Sequence, residues 1–140
     1  MKKCVSIFTL AVILLITLTA CGTEEQPGQP QRPDNSAAQD IGQGSTLFKF
    51  EVMDDKDTVT VWNVHTDEKT VGEALLAVDL IEGDLSDFGM YVTAVNGLVA
   101  DYSVNQAWWA FYIDGVMAMA GVDSTDIEPG KVYAFVYTIG

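Results

Sequence analysis

Two acidic stretches, one histidine and one aromatic strand carry the residue types that could do chemistry in this 140-residue chain. Asp123, Asp126 and Glu128 fall in one loop, and Asp54, Asp55 and Asp57 in one turn. Calcium takes several oxygen ligands, so acidic loops are where it would bind. Neither stretch has the EF-hand spacing, and solvated turn acids are the competing reading. His65 is the one histidine and falls in or beside a strand. No motif places a base beside any Ser or Thr, so a catalytic reading finds no support and a non-enzymatic role is expected. Asp87-Phe88-Gly89 has the form of the kinase metal-binding tripeptide. It stands without a Gly-rich loop or a catalytic loop, in far too short a chain. The two cysteines, Cys4 and Cys21, lie at the N-terminus, which excludes a disulfide framework, thiol catalysis and cysteine metal sites in the folded part.

The aromatic strand is Trp108-Trp109-Ala110-Phe111-Tyr112-Ile113, closed by Asp114-Gly115. Side chains alternate along a strand, so Trp109, Phe111 and Ile113 share one face and Trp108, Ala110 and Tyr112 the other. The first face reads as core. The second is aromatic enough to bind a flat or amphipathic ligand, or a protein partner. Aromatics shared between core and ordinary surface would give the same pattern.

Several elements must position that strand. Phe48, Phe50 and Val52 alternate with Lys49 and Glu51, a half-buried strand. Thr58 to His65 is a second β-rich run and a plausible hairpin partner. Thr70-Val71-Gly72-Glu73 has the capping-box form. Val71, Ala74, Leu75 and Val78 then form one apolar helical stripe, fading near Leu80 and Gly83. Met90 to Val95 and Leu98 to Tyr102 flank Asn96-Gly97, a strong hairpin signal, because both central residues of a type I′ turn need positive φ. Asp114-Gly115 predicts a second such turn, into Val116 to Met119. The last strand, 131–139, carries Tyr133, Phe135 and Tyr137 on one face and Val132, Ala134 and Val136 on the other. The sequence leaves open which of these faces is inward.

The N-terminus reads as a leader. Met1-Lys2-Lys3 is a short positive segment and Val5 to Thr19 an apolar run of signal-peptide length. Leu18-Thr19-Ala20-Cys21 resembles the lipobox of bacterial lipoproteins. That resemblance implies a signal peptide over 1–20, a lipidated Cys21, and stable anchoring through two acyl chains on the extracytoplasmic face of the cell membrane. Residues 21–45, with Pro27, Pro30 and Pro33 among Gln, Gly, Asp and Ser, read as the lipidated cysteine and a flexible linker. The folded domain is expected over 46–140.

The formal net charge is -13. It argues against nucleic acid and against attraction to anionic lipid, and it suits cationic or neutral ligands.

Four segments together resemble a known family. They are Thr70-Val71-Gly72-Glu73-Ala74-Leu75-Leu76, Val95-Asn96-Gly97, Trp108 to Gly115, and Gly121-Val122-Asp123-Ser124-Thr125 with Pro129-Gly130. The set resembles the transcobalamin-like C-terminal domain found in bacterial surface lipoproteins and related to the β-domain of transcobalamin and intrinsic factor. The resemblance covers about residues 58–140. It implies a β-grasp-like fold and a non-enzymatic role, with Trp108, Tyr112, Asp123 and Ser124 as possible ligand contacts and cobalamin as a possible ligand. In the animal carriers a helical domain closes over cobalamin with this one, and that domain is absent here.

The expectation is therefore an α+β domain in which a β-grasp-like mixed sheet packs on one helix. Its expected role is capture of a cobalamin-like or other small molecule. The alternatives are a cell-surface interaction or adhesion module with an envelope protein as partner, and calcium binding by Asp123, Asp126 and Glu128.

Overall fold

A computed structural model describes residues 37–140. The expected signal peptide, Cys21 and most of the expected linker lie outside the described residues.

The strands are β1 (Gln39–Gly42), β2 (Thr46–Met53), β3 (Val59–Thr66), β4 (Ile81–Ser86), β5 (Gly89–Val95), β6 (Leu98–Val99), β7 (Ala107–Ile113), β8 (Val116–Met117) and β9 (Val132–Ile139). Helix α1 spans Val71–Ala77, α2 spans Tyr102–Asn105, and a 3-10 turn covers Val122–Ser124. Six strands form one sheet in the order β1-β3-β2-β9-β7-β8, and three form a second in the order β4-β5-β6. The β1–β3 and β2–β9 pairs are parallel, and the other pairs are antiparallel.

This corrects the expected α+β arrangement. The fold is mostly β, with two sheets and a minor helix, and is not one sheet packed on one helix. The reason is geometric. Six strands span roughly 25 Å, whereas a seven-residue helix is about 10 Å long. The helix alone cannot cover that face. The second sheet covers the remainder, and Ile81, Val92 and Val95 join Val71, Ala74 and Leu75 against the large sheet.

A second correction concerns the linker. Residues 39–42 belong to β1, paired in parallel along Trp62–His65, and Ile41 packs against the core. Order therefore begins before residue 46.

The last strand is resolved as well. Tyr133 and Phe135 are buried, and Phe111 stacks on Tyr133 with centroids 6.3 Å apart. Trp109 meets Tyr137 edge-on at 5.3 Å. The last-strand aromatics thus join Trp109 and Phe111 inside. Trp108, Ala110 and Tyr112 share the outer face with Thr138, Val136 and Ala134.

The local signals are realised. Thr70 Oγ1 accepts from the Glu73 amide and Glu73 Oε2 accepts from the Thr70 amide, both at 3.2 Å, which completes the capping box. At the other end Asp79 is left-handed. Its amide donates to the Leu76 carbonyl, and the Leu80 amide donates to that of Leu75. This is a Schellman closure, and it ends α1 before Leu80. Asn96-Gly97 and Asp114-Gly115 have positive φ at both positions, as type I′ hairpin turns require.

Candidate functional site

The main recess is a groove of about 450 Å³ between β5 and β7. Met90, Tyr91 and Val92 line it from β5 and Trp108, Trp109 and Phe111 from β7, with Tyr102, Gly121, Val122 and Phe135 completing the lining. Successive strand side chains point to opposite faces. A recess lined by consecutive residues on both strands therefore runs along strand edges and not across one sheet face.

The pairing explains why those edges are open. β8 pairs only with Tyr112 and Ile113 of β7, and β6 only with Ala94 and Val95 of β5. Residues 107–111 and 89–93 are left without a strand partner on their facing sides among the described residues. The chain between β6 and β7 forms α2. Asp101 caps α2, its Oδ1 accepting from the Ser103 amide at 2.8 Å and from the Ser103 hydroxyl at 2.6 Å. Those bonds, the hydroxyl's first, hold the Asp101 carboxyl below the usual carboxylate range. α2 carries Tyr102 to within 6.1 Å of the Trp108 ring, centroid to centroid.

The site residues read from the sequence separate. Trp108 lines the groove, and Tyr112, on the same face of β7, does not. Asp123 follows the groove-lining Val122, and its carboxylate lies against Gly89 and Gly121. A Cβ built on Gly89 would come 3.2 Å from Oδ1, and one on Gly121 would come 2.6 Å from it. Oδ1 is enclosed and has no hydrogen-bond partner among the described residues. The Ser124 hydroxyl is spent locally, donating to the Gly121 carbonyl at 3.2 Å. Asp126 and Glu128 act through their backbones. The Tyr133 hydroxyl donates to the Asp126 carbonyl at 3.2 Å and accepts from the Glu128 amide at 2.9 Å. Among the described residues no group of three or more His, Cys, Asp or Glu is placed to hold a metal ion. His65 lies elsewhere, its Nε2 3.3 Å from Asp40 Oδ1.

Tyr91, Met90 and Tyr102 were missed by sequence reasoning. Their own strand and turn signals gave them no reason to meet β7. Trp109, read only as core, also forms part of the groove wall.

The fold is that of the transcobalamin group. Haptocorrin in complex with Cbi superposes with a TM-score of 0.51 at 17% identity, over 71% of this chain and 26% of haptocorrin's. The chain thus spans about a quarter of that carrier's length. A protein of Ruminococcus gnavus proposed to bind metal superposes with a TM-score of 0.65 at 26% identity, over 69% of this chain and 99% of its own. Residues 68–138 match the family described as domain of unknown function (DUF4430), and the chain belongs to that family. No curated protein matches its sequence. The resemblance to transcobalamin-like C-terminal domains therefore holds for the fold, and the family shown is DUF4430.

Proposed function

We propose that the chain is a membrane-anchored, extracytoplasmic capture domain whose groove holds the flat apolar part of a small molecule. The observation that carries this reading is the aromatic groove between the open edges of β5 and β7. Its volume lies in the range of small-molecule sites, and Trp and Tyr give rigid apolar walls with polar tips. A corrinoid is the first candidate, because haptocorrin shares the fold and was solved with Cbi, a cobalamin precursor. The groove would hold one edge of so large a ring, so affinity is expected to be modest without a second domain. No catalytic chemistry is assigned. Anchoring rests on the lipobox-like residues ending in Cys21. Equilibrium dialysis of the full chain against cobinamide and cobalamin tests the reading. Saturable retention, lost in Tyr102→Ala/Trp108→Ala, is expected. No retention at high micromolar ligand would sink the corrinoid assignment.

A second reading is metal binding. It is favoured by the Ruminococcus gnavus relative and by the enclosed, unpartnered Asp123 Oδ1. A ligand bound only by the native state must raise its stability. A thermal melt unmoved by millimolar calcium, and by zinc, counts against it.

A further inference from the structure

The groove does not end at Tyr91 and Tyr102. Both residues also line a second recess of about 280 Å³, whose walls include Asp84, Thr93, Asp101 and Ser103. The two recesses therefore have Tyr91 and Tyr102 in common in their walls. One is walled by aromatic and apolar side chains, and the other carries two carboxylates. None of the residues lining either recess is basic. The described part of the chain has four lysines and no arginine, within a net charge of -13 for the whole chain. The aromatic residues Tyr91 and Tyr102 thus belong both to the apolar groove and to a recess lined by Asp84 and Asp101.

We propose that the captured molecule is an amphipathic organic cation, with its apolar body between β5 and β7 and its positive group beside Asp84 and Asp101. This rests on the capture reading and names the ligand's charge. Two physical effects select for it. A cation over a Trp or Tyr face is attracted by the ring quadrupole, more strongly as it is desolvated. The exposed carboxylates of Asp84 and Asp101, with no basic residue lining the recess, add a Coulombic attraction that salt screens. An anion would face both effects reversed. A neutral molecule would use only the apolar walls. An ammonium has the further advantage of donors for Asp84, for Asp101 and for the Ser103 hydroxyl, whereas a quaternary group relies on charge and ring faces alone.

The test compares shape-matched probes. The full chain is titrated calorimetrically with choline and with 3,3-dimethylbutan-1-ol, its neutral isostere. Choline is expected to bind at least tenfold more tightly, with the preference shrinking as salt is added. In Asp84→Asn/Asp101→Asn the preference is expected to fall to near unity while the alcohol binds as before. Asn caps a helix about as well as Asp, so α2 should survive, and unchanged affinity for the alcohol reports an intact groove. Equal affinity for the two probes overturns the inference, as does a choline preference unaltered in the double variant. Binding of the neutral alcohol and of cobinamide without any choline binding overturns the charge assignment and leaves the capture reading standing. Failure of all three probes overturns both.

Discussion

The indole N–H of Trp109 donates to the backbone carbonyl of Leu98 at 3.2 Å. That bond joins β7 of the large sheet to β6 of the small one, beside the turn that leads into α2. It fixes the spacing of the two sheets just where the groove opens. Trp109→Phe keeps most of the ring but leaves the carbonyl without this donor. The expected loss is about 0.5–1.5 kcal/mol, the net worth of one part-buried hydrogen bond. Urea denaturation measures it. An unchanged midpoint would mean that the sheets are held by packing alone.

Gly72 tests a second close approach. A Cβ there would come 2.9 Å from the Asp123 Cα. In an exposed helix, Gly→Ala stabilises by roughly 1 kcal/mol. Here Gly72→Ala should destabilise instead, by about 1–3 kcal/mol, because backbone must move. A rise in Tm would show that the Val122–Ser124 turn can yield.

The groove wall and the outer face of β7 should separate by mutation. Tyr102→Ala and Trp108→Ser remove groove-lining rings that are partly exposed. Tyr112→Ser alters the same strand outside the groove. The first two should weaken ligand retention tenfold or more, and the third should leave it unchanged. Dialysis with cobinamide, or calorimetry with choline, makes the comparison. Equal losses from all three would point to a general effect on β7.

Acid should destabilise the domain from about pH 4 downward. Asp114 accepts from the Val132 amide at 2.9 Å and pairs with Lys131 at 2.9 Å. These partners, the amide first, hold its carboxyl below the ordinary value. Asp67, with the Ser45 amide, and Asp54, with the Thr58 amide, are lowered in the same way. A lowered folded-state pKa means that the unfolded chain takes up protons first as pH falls. The stability these groups contribute is complete above the unfolded value and is lost as pH falls through the folded one. Asp67 and Asp114 are exposed and Asp54 is half-buried, so each share is small and screened by salt. In Asp114→Asn, which keeps a residue tolerant of positive φ, the denaturation midpoint should fall less steeply between pH 5 and pH 2, approximately the range bounding these titrations. An identical slope would remove Asp114 from the account.

What could be read from the sequence was what neighbouring residues decide. The capping box at Thr70 and Glu73 is a three-residue relation, and Asn96-Gly97 and Asp114-Gly115 fix their turns by φ alone. The division into two sheets could not be read. β2 pairs with β9, which lies some eighty residues further along, and nothing in either strand names the other. The β4–β5 hairpin turns at Asp87-Phe88, which lacks the Asn-Gly or Asp-Gly pair that marks the other two hairpins. β1 has four residues and little alternation, so its composition resembled a linker. Trp108 was visible as a candidate because the strand's own alternation exposes it. Tyr91 and Tyr102 were not, because sheet-on-sheet placement makes them neighbours of Trp108.

β9 lies between β2 and β7. A chain made from its N-terminus forward therefore presents β2 and β7 before the strand that joins them exists. The β2–β3 and β4–β5 hairpins can close as they appear, since each pairs with its successor. The large sheet can be completed only when β9 arrives, and its parallel partner is the kind of long-range pairing that forms slowly. Until then β2 offers a bare edge to any other extended chain. The central strand acts as a late keystone, so chains shortened before Val132 should remain proteolysed fragments.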